Sequence, residues 1–260
     1  VTINPLVIHL GPFAVTGFGI MMMVAFLAAG WLFAREVARA GLDSTVAWDT
    51  VVAAVLGGLA GGKIYYAALV GRWDALVSRG GLVWYGGFAG GTLAVMGYWW
   101  WKRLPRMRLL DLIAPAMAVG YLLGRVGCFL VGDDYGVPTS LPWGMRFPRG
   151  SPPSTAANLR ELFGVEPPAG TPPDAVLAVH PTQLYEVAIM SAVFGALWGL
   201  RERPRAAGWL FGVYLILSGA ERLLVEFLRA KDDRFFGMLT LAQALSLAVI
   251  ALGVWLAASR

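Results

Sequence analysis

The chain is poor in cysteine and in charge: Cys128 is its one cysteine, and 14% of its 260 residues are Asp, Glu, Lys or Arg, against about 25% in an ordinary soluble domain. A lone cysteine excludes an internal disulfide, a zinc ribbon and a dithiol redox pair. So little charge excludes disorder and argues against a water-soluble globule. There is no HExxH, no Walker loop and no GxSxG, and Ser218-Gly219 lacks the glycine of an intramembrane serine-protease motif, so those enzyme classes recede. What is present is apolar: 58% hydrophobic residues and 33 glycines, with a mean hydropathy of +0.64. Lipid gives two helices no hydrophobic reason to associate, and small residues let their backbones touch. The composition therefore describes an all-α polytopic membrane protein. The net charge of +5 is scattered over short connections rather than gathered in a stripe, so no nucleic-acid partner is expected.

Seven apolar runs suit a hydrocarbon core of about 30 Å, roughly 20 helical residues. They lie near 13–34, 48–71, 81–101, 110–132, 182–200, 206–228 and 238–258. The first has neither a basic n-region nor a small-residue cleavage site and reads as a retained span. Ten of the fifteen prolines fall between Pro138 and Pro181, which makes 133–180 an excursion outside the membrane, between the fourth and fifth spans. The expected organisation is a single integral-membrane domain over 1–260 with that small head inserted in it.

Basic residues near span ends are retained on the cytoplasmic side. With the amino terminus outside, the inner connections hold Arg35, Arg39, Lys102, Arg103, Arg106, Arg108, Arg201, Arg203, Arg205 and Arg260, ten in all. The outer segments hold five: Arg72, Arg79, Arg229, Lys231 and Arg234, with Asp74, Asp232 and Asp233 among them. The amino terminus and the head are thus expected on the periplasmic face and the carboxyl terminus in the cytoplasm.

A charge inside a span costs at least a few kcal/mol unless it is paired, hydrated or useful. Lys63, Arg125, Glu186, Glu221, Arg222 and Glu226 are such residues. Arg125 stands seven residues before Gly132, and Arg222 seven before Arg229, which places both about 10 Å below the outer boundary at 1.5 Å per residue. Two guanidinium forks at one depth in different helices suit a carboxylate or phosphate. Tyr85, His180, Asp133 and Asp134 fall near the same boundary. The competing reading has each arginine snorkel to the interface or pair with a helix carboxylate, as Arg222 can with Glu226 one turn on. Arg125 has no carboxylate at that spacing. Lys63 and Asp49 read as structural, Cys128 as a small core residue and His9 as an interfacial loop residue. Gly57/Gly61 with Gly58/Gly62, and Gly86/Gly90 with Gly87/Gly91, are small-xxx-small patterns expected to pack the second and third spans backbone to backbone.

Three stretches resemble one family together: Gly124-Arg125-Val126-Gly127-Cys128 through Gly132-Asp133-Asp134-Tyr135-Gly136; His180-Pro181-Thr182-Gln183-Leu184-Tyr185-Glu186; and Arg222-Leu223-Leu224-Val225-Glu226-Phe227-Leu228-Arg229. Gly237, Leu239-Thr240-Leu241-Ala242-Gln243, Asp111-Leu112-Ile113-Ala114-Pro115 and Leu82-Val83-Trp84-Tyr85-Gly86-Gly87 fit as well. In order and spacing they resemble the phosphatidylglycerol–prolipoprotein diacylglyceryl transferases of bacterial inner membranes. Departures stand at Phe18 and Ser218, where tyrosines are often found, at Tyr85 for His, Cys128 for Asn and Asp133 for Glu.

The resemblance implies that a lipobox cysteine thiol displaces glycerol phosphate from phosphatidylglycerol, with no metal or other cofactor. Expected partners are phosphatidylglycerol, preprolipoprotein signal peptides and membrane lipids, and the chain is expected to be a monomer. The residues suit such chemistry. Arg125 and Arg222 would hold charge developing on phosphate. His180, Glu226 and Asp133 are candidate acceptors of the thiol proton, and Tyr85 is a candidate to orient the headgroup. Asp133, Gly136, Gln183 and Glu186 complete the expected binding residues, with Gly136 permitting a turn that other residues resist. His180, ahead of Pro181 at a favoured first helical position, has an alternative role as a helix cap. A cavity opening sideways to lipid is expected, with the head covering or admitting the peptide. Two other classes remain open: a transporter or flippase for an anionic lipid or metabolite, and a membrane scaffold. Against the transporter, the polar residues cluster near one face and no internal repeat is visible.

Overall fold

The computed structural model describes residues 1–11, 13–77, 81–203, 205–230, 234–235 and 239–259. Of the residues singled out above, Arg79, Lys231, Asp232, Asp233, Gly237, Arg260 and the Arg234 side chain lie outside the described ones. Among the described residues the chain is helical with two short antiparallel strand pairs. In order come β1 (Val7–Leu10), β2 (Phe13–Thr16), α1 (Gly17–Arg39), α2 (Thr45–Val70), a 3-10 turn (Trp73–Val77), α3 (Trp84–Trp101), α4 (Arg106–Val131), α5 (Ala156–Phe163), α6 (Thr182–Leu200), α7 (Trp209–Glu226), β3 (Arg234–Phe235), β4 (Leu239–Thr240) and α8 (Leu241–Ala258). Among the described residues five helices, α1, α2, α4, α6 and α8, are long and apolar enough to cross a membrane. The two other long helices differ in composition: α3 is rich in Gly, Trp and Tyr, and α7 carries Glu221, Arg222 and Glu226.

The first apolar run is not helical throughout. Residues 13–16 are extended and pair antiparallel with 7–10, Val7 opposite Thr16, so the helix starts at Gly17. His9 belongs to that hairpin rather than to a loop.

The chain divides into two compact units, Val1–Ala29 with Ala114–Arg260, and Gly30–Ile113. In the second unit α2 and α3 meet along their glycines. A Cβ on Gly61 would strike the Gly86 carbonyl and the Gly90 Cα, and one on Gly90 would strike the Gly57 carbonyl, the close approach that small residues permit in lipid. At one end the seam is tied by polar bonds: buried Trp99 donates Nε1–H to Thr50 Oγ1 (2.8 Å) and the Tyr98 hydroxyl donates to Asp49 (2.7 Å). Outward residues such as Leu56, Leu59 and Leu93 are apolar and exposed, as a lipid-facing helix requires.

In the first unit α4, α6 and α7 close on Ala114, Ala118, Met190, Val193, Leu197, Leu210 and Tyr214. Gly212 and Gly253 form another glycine contact, between α7 and α8. Between α4 and α6, residues 132–181 have a core of their own, in which Tyr135 stacks on Phe147 (centroids 5.5 Å apart) against Leu159, Val179 and Ala230. Thr155 caps α5, its Oγ1 accepting from the Asn158 N–H (3.3 Å).

Candidate active site

Arg125, Glu186, Arg222 and Glu226, four of the first unit's charged residues within apolar runs, meet in a ring. Arg125 of α4 reaches Glu186 of α6 through Nε (3.2 Å) and Asp134, beyond the end of α4, through a terminal nitrogen (2.8 Å). Arg222 of α7 lies 3.9 Å from the other Glu186 oxygen and 2.7 Å from Glu226, one turn along its own helix. Arg229, three residues past Glu226, stands 3.9 Å from it and closes the circuit on the second oxygen of Asp134. Cations and carboxylates alternate: Arg125, Glu186, Arg222, Glu226, Arg229, Asp134. Three of each make the ring neutral, which is how such charge persists away from water.

Local structure sets the members. Tyr121, one turn before Arg125, lies under its guanidinium (5.1 Å to the ring centroid) and donates its hydroxyl to Glu186 Oε1 (3.1 Å). Thr240 caps α8 in a reciprocal box with Gln243, and its hydroxyl also donates to Glu226 Oε1 (3.0 Å). A helix-capping signal in the sequence thereby orients an acidic member of the ring. The segment after α4 is fastened to the start of α6: the Thr182 hydroxyl donates to the Asp134 carbonyl (2.7 Å), and the Gln183 amide to the Asp133 carbonyl.

Gly136 is needed for a different reason from the one expected. Gly132 and Asp134, not Gly136, have the left-handed backbone, at φ 67° and 57°. A side chain at Gly136 would instead strike the Leu228 carbonyl, His180 and Thr182. That contact, with the Gly136 N–H on His180 O (2.8 Å) and the Val137 N–H on Leu228 O (2.9 Å), brings the segment bearing Asp134 against the one bearing Arg229.

Of the residues singled out in the sequence, Arg125, Arg222, Glu186 and Glu226 share the ring. Gln183 is fully buried and holds backbone. Asp133 adjoins the ring, one of its carboxylate oxygens buried without a hydrogen-bond partner. Burial first, and then the Asp134 charge, push its carboxyl up to about 6. Asp134 goes the other way: burial alone would raise it, but Arg229 and Arg125 hold it down at about 2. His180 faces the Tyr185 hydroxyl through Nδ1 (3.1 Å), which also accepts from Trp143 Nε1 (2.8 Å), and burial lowers its pKa. It does not cap the helix. Pro181 occupies that position and α6 begins at Thr182, since the preceding residues are held by backbone bonds to Gly136, Val137 and Met145. Tyr85 lies in the first turn of α3, in the other unit, exposed and edge-on to Trp84 (5.3 Å).

Sequence reasoning assigned neither Arg229 nor Tyr121 nor Thr240 to the site. Arg229 in particular counts there as an outer surface charge, whereas its side chain is only 11% exposed. Its spacing of three from Glu226 and seven from Arg222 was the available signal. Among the described residues the group with metal-ligand spacing is Cys128, Asp133 and Asp134. Both Asp134 oxygens there are taken by guanidiniums, which opposes a cation.

The fold and site define a class: a helical membrane protein with a buried, charge-balanced cluster of arginines and carboxylates. The sequence model of the prolipoprotein diacylglyceryl transferases matches residues 5–259. The phosphatidylglycerol–prolipoprotein diacylglyceryl transferase of Nitratidesulfovibrio vulgaris strain Hildenborough is 34% identical over 98% of this chain and 93% of its own. That of Burkholderia thailandensis is 35% identical over 96% of this chain and 92% of its own. The chain belongs to the prolipoprotein diacylglyceryl transferase family.

Proposed function

We propose that this chain transfers the diacylglyceryl group of phosphatidylglycerol to the cysteine thiol of a prolipoprotein lipobox. The thiolate sulfur bonds to the glycerol carbon bearing the phosphate, the carbon–oxygen bond breaks, and glycerol phosphate departs with the electron pair. The observation that carries the reading is the convergence of Arg125, Arg222 and Arg229 on shared carboxylates, in a chain whose relatives bear that activity in their names. Fixed, poorly hydrated donors stabilise the charge that gathers on the leaving phosphate and need not reorganise as it forms.

The thiol proton must go to a base, because the thiolate is the nucleophile. Asp133 is favoured over the other candidates. Its affinity for protons is tuned to about 6, close to where a base works best. Glu226 is committed to Arg222 and Thr240, and one nitrogen of His180 is committed to Tyr185.

We place the protein in the bacterial inner membrane with seven spans, the amino terminus and the 133–180 head on the periplasmic side. Burial of Arg229 leaves the outer connections poorer still in accessible basic charge, in keeping with that orientation. The lipid is taken to enter sideways with its acyl chains between helices. Purified protein, labelled phosphatidylglycerol and a lipobox peptide test the whole reading: covalent diacylglycerol on the peptide is expected, and lipid movement or no reaction without an adduct would overturn it.

A further inference from the structure

We infer that Asp134 is an internal stand-in for the lipid phosphate: its carboxylate sits between Arg125 and Arg229 where the headgroup binds, and the headgroup enters by displacing it. The inference rests on the transferase reading and concerns how the same site is loaded and emptied.

The ring is already neutral, so an anion cannot join it without expelling a carboxylate or leaving excess negative charge. The three carboxylates differ sharply in their freedom to leave. Side-chain exposure is 0% for Glu186 and 1% for Glu226, against 38% for Asp134. Glu186 is further held by the Tyr121 hydroxyl and Glu226 by that of Thr240, whereas the Asp134 side chain bonds only to Arg125 and Arg229 among the described residues. Its main chain is pinned through the Thr182 hydroxyl, so the side chain can swing without the loop.

Asp134 also mimics the ligand. Its two oxygens each take one guanidinium, as two phosphate oxygens would. It leaves donors unused: a terminal nitrogen of Arg222 and one of Arg229 are buried with no hydrogen-bond partner. A phosphodiester has two terminal oxygens and the departing glycerol phosphate has three. The spare donors therefore gain a partner as the carbon–oxygen bond breaks, the kind of interaction that speeds the reaction rather than merely tightening binding. Once transfer is complete, the returning carboxylate competes with the product for the same two arginines and expels it. Asp134 is thus a positioning residue that trades affinity for turnover.

The test uses Asp134→Asn and Asp134→Gly, both compatible with its left-handed backbone, in the full-length enzyme reconstituted with phosphatidylglycerol. Removing the competing carboxylate is expected to lower the KM for phosphatidylglycerol about tenfold and to strengthen inhibition by added glycerol phosphate by a similar factor, as when a competing closed state is removed. Asp134→Glu, which restores a carboxylate, is expected to return both toward the original values. An unchanged or raised KM in whichever variant folds would make Asp134 a structural tether and overturn the proposal. Absence of transfer by the unsubstituted protein would instead overturn the transferase reading itself.

Discussion

The two compact units answer the same problem, how to hold helices together without water to drive them, in opposite ways. In the unit of α2 and α3 the answer is mainly to remove side chains: Gly57, Gly61, Gly86 and Gly90 bring backbones into contact, with two polar ties, Trp99–Thr50 and Tyr98–Asp49, at one end. In the unit of α4, α6 and α7 the answer includes six charges that lipid opposes, balanced against one another and tied by Tyr121 and Thr240. A fold that can be fastened with glycine has no structural need for three buried arginines. The contrast supports the proposal that the charged region serves chemistry and the glycine region scaffold.

Substitutions can break this contrast. Arg125→Lys keeps the charge but loses the planar fork that spans Glu186 and Asp134; transfer to a lipobox peptide should fall by about a factor of 10³, while the unfolding temperature in detergent moves little. Comparable losses in both would erase the distinction.

A second measurement sharpens it within the charged region. If Asp133 takes the thiol proton, the transfer rate climbs as pH rises through about 6, because the carboxylate and not the acid is the base. Asp133→Asn should remove that limb and lower the rate by about a factor of 10²; a limb that persists would move the role to His180 or Glu226. The same shift opposes folding. A carboxyl raised from 3.8 to about 6 contributes stability that is present below the lower value and lost as pH rises through the upper one, so the Asn variant should flatten the stability profile across that window.

The smallest effect on chemistry belongs to the other unit. Gly61→Leu forces the α2–α3 backbones apart and should cost about 1–3 kcal/mol, seen as lower yield and lower thermal stability, with transfer per folded molecule retained. Loss of transfer at full stability would mean that the glycine seam does more than hold.

Much of this was legible beforehand because apolar run length and small-residue spacing are local properties. Among the described residues the apolar runs largely overlie long helices, five of them long and apolar enough to cross a membrane, and the glycine repeats form the α2–α3 seam. Arg125 and Arg222 stood out because charge in an apolar run is conspicuous. Arg229 did not, since it follows a helix end where basic residues are ordinary, and its burial goes with the pairing of residues 135–137 against 228–230. Gly136 was noticed for the wrong reason: a close approach depends on a distant segment, Leu228, that sequence neighbours cannot reveal.

By itself the sequence determined that the chain is a helical membrane protein and which polar residues are too costly to be incidental, because hydrophobic transfer is nearly additive along a chain. Only the tertiary structure decided that Glu186 lies between two arginines on different helices and that Asp134 bridges to Arg229. Charge pairing depends on distance in space, and residues 125, 186 and 222 acquire a common distance only when three helices pack.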